Sequence, residues 1–340
     1  MYRPVIAISV GDPAGIGPEV TVKALNDSDV YKCCRPVVIG DAWIIRQALH
    51  FSHLNLRVNI VESPGNGQYS AGTIDVLDLA NIDMEIFSYN RISEMTGRAS
   101  VEYVIKAIEL AMDQQVDAIV TGPIHKEAIK LGGYNFAGHT EILAHYTHTS
   151  KYAMMLADGD FRVVHVNTHV SMLESIHQLN KERIVHVIQL ADEALKKMGI
   201  KIPRIAVNGL NPHAGENGLF GDEEINHIIP AIAEVKKMGI QADGPHPPDT
   251  VFPKMKGGQY DVVVCMYHDQ GHIPVKLMGF HYDHSSQKWE GMSGVNITLG
   301  LPILRVSVDH GTAFDKGGKG VADPGSMKQA LRYATGLAKR

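Results

Sequence analysis

Asp261-Val262-Val263-Val264-Cys265-Met266-Tyr267-His268-Asp269-Gln270-Gly271-His272-Ile273-Pro274-Val275-Lys276 is the stretch from which the fold class is read. A short β-branched run leads into a polar, glycine-broken turn that carries His, Asp and Lys. In an α/β protein, such a turn past a buried strand is where binding and catalytic groups collect. Two other stretches repeat the pattern. Arg162-Val163-Val164-His165-Val166 leads to His169, and Arg204-Ile205-Ala206-Val207-Asn208 leads to His213. Three histidines, each just past a different strand, supply what a metal site open to substrate needs. Any one alone reads as an ordinary structural histidine. The separations are long and the helical HExxH signature is absent, so the shared strand-end setting carries the reading, not the spacing.

Outward from these stretches, short β-branched runs alternate with longer amphipathic segments. Strands are predicted at 4–10, 36–40, 57–61, 117–121, 162–167, 203–208, 261–265 and 302–308. Helices are predicted at 17–26, 41–50, 97–115, 138–147, 181–199, 221–238 and 325–338. In the third helix Val101, Val104, Ile105 and Ile108 keep the helical period. The alternation predicts an α/β fold with a largely parallel sheet covered by helices. Thr121-Gly122-Pro123 and Gly300-Leu301-Pro302 are the boundary candidates. They give a first α/β domain of 1–125 plus 303–340, and a second of 126–302 that carries the metal ligands.

Composition narrows the class. The chain has 340 residues, enough for two domains, and 44% hydrophobic against 20% charged residues marks it as globular. With a net charge of -5 and no long basic run, a nucleic-acid partner is not expected. The N-terminal apolar run stops at Gly11-Asp12-Pro13, too short for a signal peptide, and no stretch is long enough to cross a bilayer. The three cysteines, Cys33, Cys34 and Cys265, show no metal-type spacing, which fits a reducing cytoplasm.

Four further features bear on ligands. Gly11-Asp12-Pro13-Ala14-Gly15-Ile16-Gly17-Pro18-Glu19 joins the first strand to the first helix with glycines that allow close approach of a ligand, but it is neither a P-loop nor GxGxxG, so from local features a plain turn with Pro18 at the helix start is the slightly better reading. Gly138-His139-Thr140-Glu141 opens a helix and suits an anion at its N-terminus; a Thr cap with a surface His is the plain alternative. Lys276 and Arg305 could hold an anionic substrate, and Arg305 lies inside the apolar run Pro302–Val308, where a charge needs a partner. His310-Gly311-Thr312-Ala313-Phe314-Asp315-Lys316-Gly317-Gly318-Lys319-Gly320 is a glycine-rich loop whose backbone amides could hold an adenosine, or a flexible surface loop.

These motifs, taken in order, resemble the 4-hydroxythreonine-4-phosphate dehydrogenase family, including its paralogues that act on D-threonate or D-erythronate 4-phosphate. The likeness rests on 11–19, Thr121-Gly122-Pro123-Ile124-His125-Lys126, 138–141, 209–216, 267–271, Gly294–Pro302 and Val308–Ala313. It implies a two-domain fold similar to isocitrate and isopropylmalate dehydrogenases, with the active site in the interdomain cleft. It implies NAD held by a loop containing Gly311, Thr312 and Ala313, and a divalent metal (zinc, or manganese, cobalt or magnesium) held by His169, His213 and His268. It implies substrate contacts from His139, Thr140, Lys276, Asn296 and Arg305, and a homodimer whose site draws on both subunits. The implied reaction is oxidation of a secondary hydroxyl at C3, then decarboxylation. Asp249 and Asp269 are candidates for the base, with Asp249 preferred.

One departure stands out. Between Lys276 and Asn296 the chain is roughly ten residues longer than the vitamin B6 enzymes of the family, judged by eye. The extra stretch, with His281, His284 and Trp289, reads as a loop or lid at the mouth of the site. It makes threonate or erythronate 4-phosphate at least as good a candidate as phosphohydroxythreonine. Alternatives are a cis-dihydrodiol dicarboxylate dehydrogenase of the same family, a metal-dependent lyase that uses no NAD, and a non-catalytic binding protein.

Overall fold

The computed structural model describes residues 2–279, 281–283, 288–290 and 294–338. The chain divides into two units, Met1–Ser150 with Leu301–Arg340, and Lys151–Gly300.

The first unit is built from β1 (Val5–Ser9), α1 (Gly17–Leu25), α2 (Ser28–Cys33), β2 (Arg35–Gly40), α3 (Ala42–Phe51), β3 (Arg57–Val61), β4 (Thr73–Asp78), α4 (Glu94–Met112), β5 (Ala118–Thr121), α5 (Lys126–Leu131) and α6 (His139–Tyr146). The second contains β6 (Ala153–Asp158), β7 (Phe161–His165), α7 (Met172–His177), α8 (Lys181–Lys197), β8 (Ile205–Asn208), α9 (Ile229–Lys237), β9 (Ala242–His246), α10 (Pro248–Lys256), β10 (Val262–Cys265), α11 (His268–Gly279), β11 (His281–Asp283), β12 (Lys288–Glu290) and β13 (Val295–Leu299). The chain then returns to the first unit with β14 (Arg305–Val308) and α12 (Gly325–Ala338).

In the first unit the strands lie in the order β3-β4-β2-β1-β5-β14, all parallel. Both faces are buried, so β1, β2 and β5 are continuous apolar runs, as parallel strands between helices require. The chain leaves β1 toward β2 on one side and reaches β5 on the other. The strand order therefore reverses between β1 and β5, the switch point at which open α/β sheets bind ligands beyond their carboxyl ends.

In the second unit the order is β13-β6-β7-β10-β8-β9. Strands β7, β10, β8 and β9 are parallel, while β6 runs antiparallel to both β7 and β13. Leu156, Phe161, Val163, Ala206, Val263 and Cys265 form its core with Val251, Met255 and Val275 from the covering helices. The short hairpin β11–β12 falls in the stretch expected as a lid. Phe280, 284–287 (which includes His284) and 291–293 lie outside the described residues.

Two expectations are revised and a third is refined. The second unit opens at Lys151, not at 126, because α5 and α6 both pack on α4 of the first unit. The polar segment after β10 is not a turn but helix α11, starting at His268 and containing Pro274. Gln270 ties its first turn down: its Oε1 accepts the Met266 N–H at 2.7 Å and its Nε2 donates to the Gly209 carbonyl at 2.8 Å. Within the largely parallel arrangement expected, the second unit has two antiparallel pairings, of β6 with β7 and with β13, and neither β6 nor β13 was marked as a strand in the sequence.

Candidate active site

The switch point of the first unit is closed by three loops. Asp12, after β1, donates its N–H to the Pro123 carbonyl at 2.8 Å, after β5. Ile16 N–H donates to the Thr312 carbonyl at 2.9 Å, which docks the glycine-rich loop after β14 on the start of α1. The approach is close enough that a Cβ on Gly15 would lie 2.7 Å from the Thr312 oxygen. Ala313 takes a left-handed φ of 40°, while a Cβ on Gly311 would meet no heavy atom within 4 Å among the described residues. The backbone at Gly311 thus has open space beside it.

Two charged residues that the sequence did not single out anchor this loop. Glu19 is fully buried and accepts the N–H groups of Gly320 and Ala322. Lys23 bridges Glu19 at 2.8 Å and donates to the carbonyls of Gly320 and Ala322 at 2.9 and 2.8 Å. An ion pair this buried holds its partners firmly because each charge would be costly alone.

Asp12 is 0% exposed. Its Oδ1 accepts the Ala14 N–H at 3.0 Å, and its Oδ2 has no hydrogen-bond partner among the described residues. Burial pushes its carboxyl up to about 6, against the smaller pulls of the Ala14 N–H and the Thr96 side chain.

Beside these loops lies a cationic corner. Arg305, first residue of β14 and 3% exposed, pairs in register with Ile119 of β5. Its Nη2 and Nε donate to Thr121 Oγ1 at 2.8 and 3.2 Å. Burial draws the guanidinium down to about 9. His139 opens α6 as expected, after Gly138, which offers no side-chain cap. Burial first, and then the Arg305 charge, hold its imidazole well below the usual range, while a contact to the Gly122 backbone pulls the other way. Its Nε2 is buried without a hydrogen-bond partner among the described residues. Thr140 follows it, half-buried, on the same first turn. A fork of donors, a neutral imidazole and a helix N-terminus together suit a phosphate or carboxylate.

In the second unit, β7, β10 and β8 are neighbours and parallel, so their carboxyl ends share one edge of the sheet. His169, His268 and His213 follow these three strands. The rings of His169 and His268 are 5.7 Å apart. His268 Nδ1 lies 2.7 Å from Asp269 Oδ1; the carboxylate can only accept, so Nδ1 carries the proton and Nε2 keeps its lone pair. That tautomer is the one a metal ligand needs. His213 sits in a left-handed turn, with φ of 53°, and is exposed. Glu224, 2% exposed, holds this turn by accepting the N–H groups of Leu210 and Asn211 at 2.7 and 2.8 Å. Among the described residues no three His, Cys, Asp or Glu side chains gather into a metal-holding group, so His213 is not brought to the His169–His268 pair.

The remaining expected residues are placed as follows. Asp249 is exposed in the first turn of α10, which packs against the His213 turn. Asp269 is engaged with His268, which makes it an orienting group rather than a free base. Lys276 is half-buried on α11. Asn296, on β13, donates its Nδ2 to Met154 Sδ at 2.8 Å, and its buried Oδ1 has no partner among the described residues.

Next to His268, a second ring pair went unnoticed in the sequence. His272 stacks on His268 with centroids 3.6 Å apart and planes 10° apart. His165, 0% exposed, approaches His272 with its Nε2 3.2 Å from Nδ1. Burial lowers the His165 imidazole to about 3.

The chain as a whole is similar to known proteins. The family described as "Pyridoxal phosphate biosynthetic protein PdxA" matches residues 32–334. A "4-hydroxythreonine-4-phosphate dehydrogenase" from Desulforapulum autotrophicum is 45% identical over 333 residues, 98% of this chain and 95% of the relative. A protein named "Putative D-threonate 4-phosphate dehydrogenase" from Oceanobacillus iheyensis is 45% identical over 340 residues, 99% of this chain and 98% of the relative. The crystal structure of a 4-hydroxythreonine-4-phosphate dehydrogenase from Klebsiella pneumoniae is similar with a TM-score of 0.89 and 42% identity, covering 100% of this chain and 99% of that one. No helix among the described residues is long and apolar enough to cross a membrane.

Proposed function

The chain belongs to the PdxA family of pyridoxal phosphate biosynthetic proteins, and on that premise we propose that it is an NAD- and metal-dependent dehydrogenase that oxidises C3 of a 4-phosphorylated four-carbon hydroxy acid, whose product then loses its carboxyl group. The substrate is 4-phosphohydroxy-L-threonine, or D-threonate or D-erythronate 4-phosphate. The observation that carries the reading is the shared carboxyl edge of β7, β10 and β8, where three histidines follow three neighbouring strands. As in the family it resembles, the enzyme is read as a homodimer whose site is completed by both subunits.

Each residue then has a physical task. Arg305 and His139, with the α6 N-terminus and Thr140, hold the phosphate: the guanidinium, positioned by Thr121, supplies the positive charge, and the first turn of α6 supplies backbone N–H groups. Asn296 and Lys276 orient the rest of the chain of the substrate. His169, His213 and His268 are the residues that would hold the divalent ion, His213 from a turn that this structure leaves apart from the other two, with Asp269 keeping His268 in the tautomer that leaves Nε2 available. The chemistry such groups would supply is acidification of the substrate hydroxyl by the ion and acceptance of the C3 hydride by the nicotinamide. Asp249 receives the hydroxyl proton. The loop at Gly311–Ala313 fixes the adenosine end of NAD, and Glu19 and Lys23 hold that loop in place. A ketone at C3 lies β to the carboxyl group, so the carbon–carbon bond breaks with its electron pair delocalised onto the ketone oxygen.

The test is NADH formation by purified protein, first stripped with a chelator and then restored with Mn2+ or Zn2+, on each of the three phosphorylated acids. Turnover of at least one, lost on stripping and regained with the ion, is expected. No NADH from any of them in restored protein would refute the assignment.

A further inference from the structure

We infer that the buried His165 and the half-buried His272 form an imidazole chain that fixes the ring of His268 for binding the divalent ion, so that both are positioning residues of the site. The inference rests on the reading of His268 as a ligand and extends it to residues that the reading leaves without a role.

The geometry fixes the hydrogens. His165 Nδ1 lies 3.3 Å from the Met154 carbonyl, across the β6–β7 pair. A carbonyl oxygen can only accept, so Nδ1 carries the hydrogen. The ring is fully buried and therefore neutral, which leaves Nε2 as an acceptor. His272 Nδ1, 3.2 Å away, must then be the donor. The same Nδ1 lies 3.0 Å from the His268 carbonyl, one helical turn back on α11, so a single N–H is shared between two acceptors. With both nitrogens engaged, His165 has no lone pair to offer an ion. Its function is mechanical: it holds His272 in one orientation, and His272 lies flat against His268.

Support from the other side of His268 is weaker. Asp269 sets the tautomer, but its side chain is 66% exposed and that of His268 is 35% exposed, so the pair alone holds the ring loosely in water. The stacked face, anchored to a strand end in the core, supplies the rigidity. The sequence accommodates this arrangement at one further position. A Cβ on Gly271 would lie 2.5 Å from His165 Nε2 and 3.1 Å from Cys265 Sγ, so only glycine lets α11 come down on the buried ring. The segment His268-Asp269-Gln270-Gly271-His272 is in this sense one device: ligand, tautomer-setter, helix tie, clearance and brace.

The test uses Co2+ as probe on the full-length protein. Cobalt affinity is read by competition with a chromophoric chelator, and ligand geometry by the visible absorption of the cobalt-loaded protein. His272→Ala removes ring and donor together. His272→Phe keeps a flat ring of similar size and removes only the N–H, so it is the variant that keeps the stack and lowers the stability of the metal-free protein the less of the two. Outer-shell partners of this kind are worth about 10–100-fold in metal affinity. Both variants are expected to bind Co2+ more weakly, by about tenfold or more, with an altered cobalt spectrum, while the metal-free His272→Phe protein still unfolds in one cooperative transition, its midpoint lowered by the one lost hydrogen bond. Parental affinity and spectrum in His272→Phe would overturn the inference. If the parent protein itself takes up no Co2+, the reading of His268 as a ligand fails first, and the inference falls with it.

Discussion

Gly271 stands over the imidazole of His165 so closely that a Cβ there would come within 2.5 Å of Nε2. The obstacle is a ring held in the core at both nitrogens, not the end of a flexible side chain. Gly271→Ala is therefore expected to push α11 off the sheet edge and to cost about 1–3 kcal/mol, as overpacking does. Denaturant unfolding of the metal-free protein measures this. An unchanged midpoint would mean that α11 has room to move.

Arg305→Lys keeps the charge but loses the planar fork. Charged hydrogen bonds are each worth about 1.5–3 kcal/mol, and about 1.4 kcal/mol is a factor of ten. KM for the phosphorylated substrate is expected to rise about tenfold or more, with a smaller change in kcat. Steady-state kinetics decide this; an unaltered KM would remove Arg305 from the phosphate site.

Asp12 gives a pH signature in stability. Its folded carboxyl holds a proton up to about pH 6, while a free one gives it up near 3.8. The folded state therefore binds more protons between about pH 4 and 6. By linkage this contribution is full below about pH 4, fades as the pH rises to about 6, and is absent above it. Asp12→Asn, which still offers an oxygen to the Ala14 N–H, is expected to be more stable than the parent at neutral pH, by at most about 3 kcal/mol. The two should converge near pH 4. Parallel stability curves across that range would show that Asp12 is ionised in the fold.

Glu224 gathers the N–H groups of Leu210 and Asn211 beneath the turn that carries His213, and a Cβ on Gly215 would lie 2.6 Å from its Oε2. Glu224→Ala leaves those donors buried and unmet, at about 1–3 kcal/mol each. Lower stability together with weaker Co2+ uptake is expected. A stability loss with parental Co2+ affinity would separate the turn from the metal site.

What the sequence revealed depended on how locally each feature is encoded. Strands β7, β8 and β10 are short apolar runs, so the histidines that follow them could be aligned at one sheet edge without knowing the strand order. His139 was legible as a helix start because Gly138 precedes it. Strand β4 was missed since Asp75, inside it, is buried while accepting N–H groups from Gln68, Tyr69 and Asn59. Helix α11 was read as a turn because Gly271 and Pro274 are helix breakers; the glycine is required by His165, more than a hundred residues earlier in the chain. Glu19, Lys23 and Glu224 look like surface charges in sequence. Besides the Glu19–Lys23 pair itself and Asn211 Nδ2 on Glu224, their partners are backbone groups, which carry no sequence signal, and for Glu19 and Lys23 these lie about three hundred residues away.

The most direct test of the central claim compares kcat/KM for NAD reduction with D-threonate 4-phosphate and with D-threonate, in protein restored with Mn2+ or Zn2+, with 4-phosphohydroxy-L-threonine as the second phosphorylated substrate. If Arg305 and His139 hold a phosphate while the strand-end histidines serve the oxidised carbon, a phosphorylated acid should be preferred by at least two orders of magnitude, since charged contacts of about 1.5–3 kcal/mol each are at stake. Equal turnover of the phosphorylated and unphosphorylated acids would contradict the account.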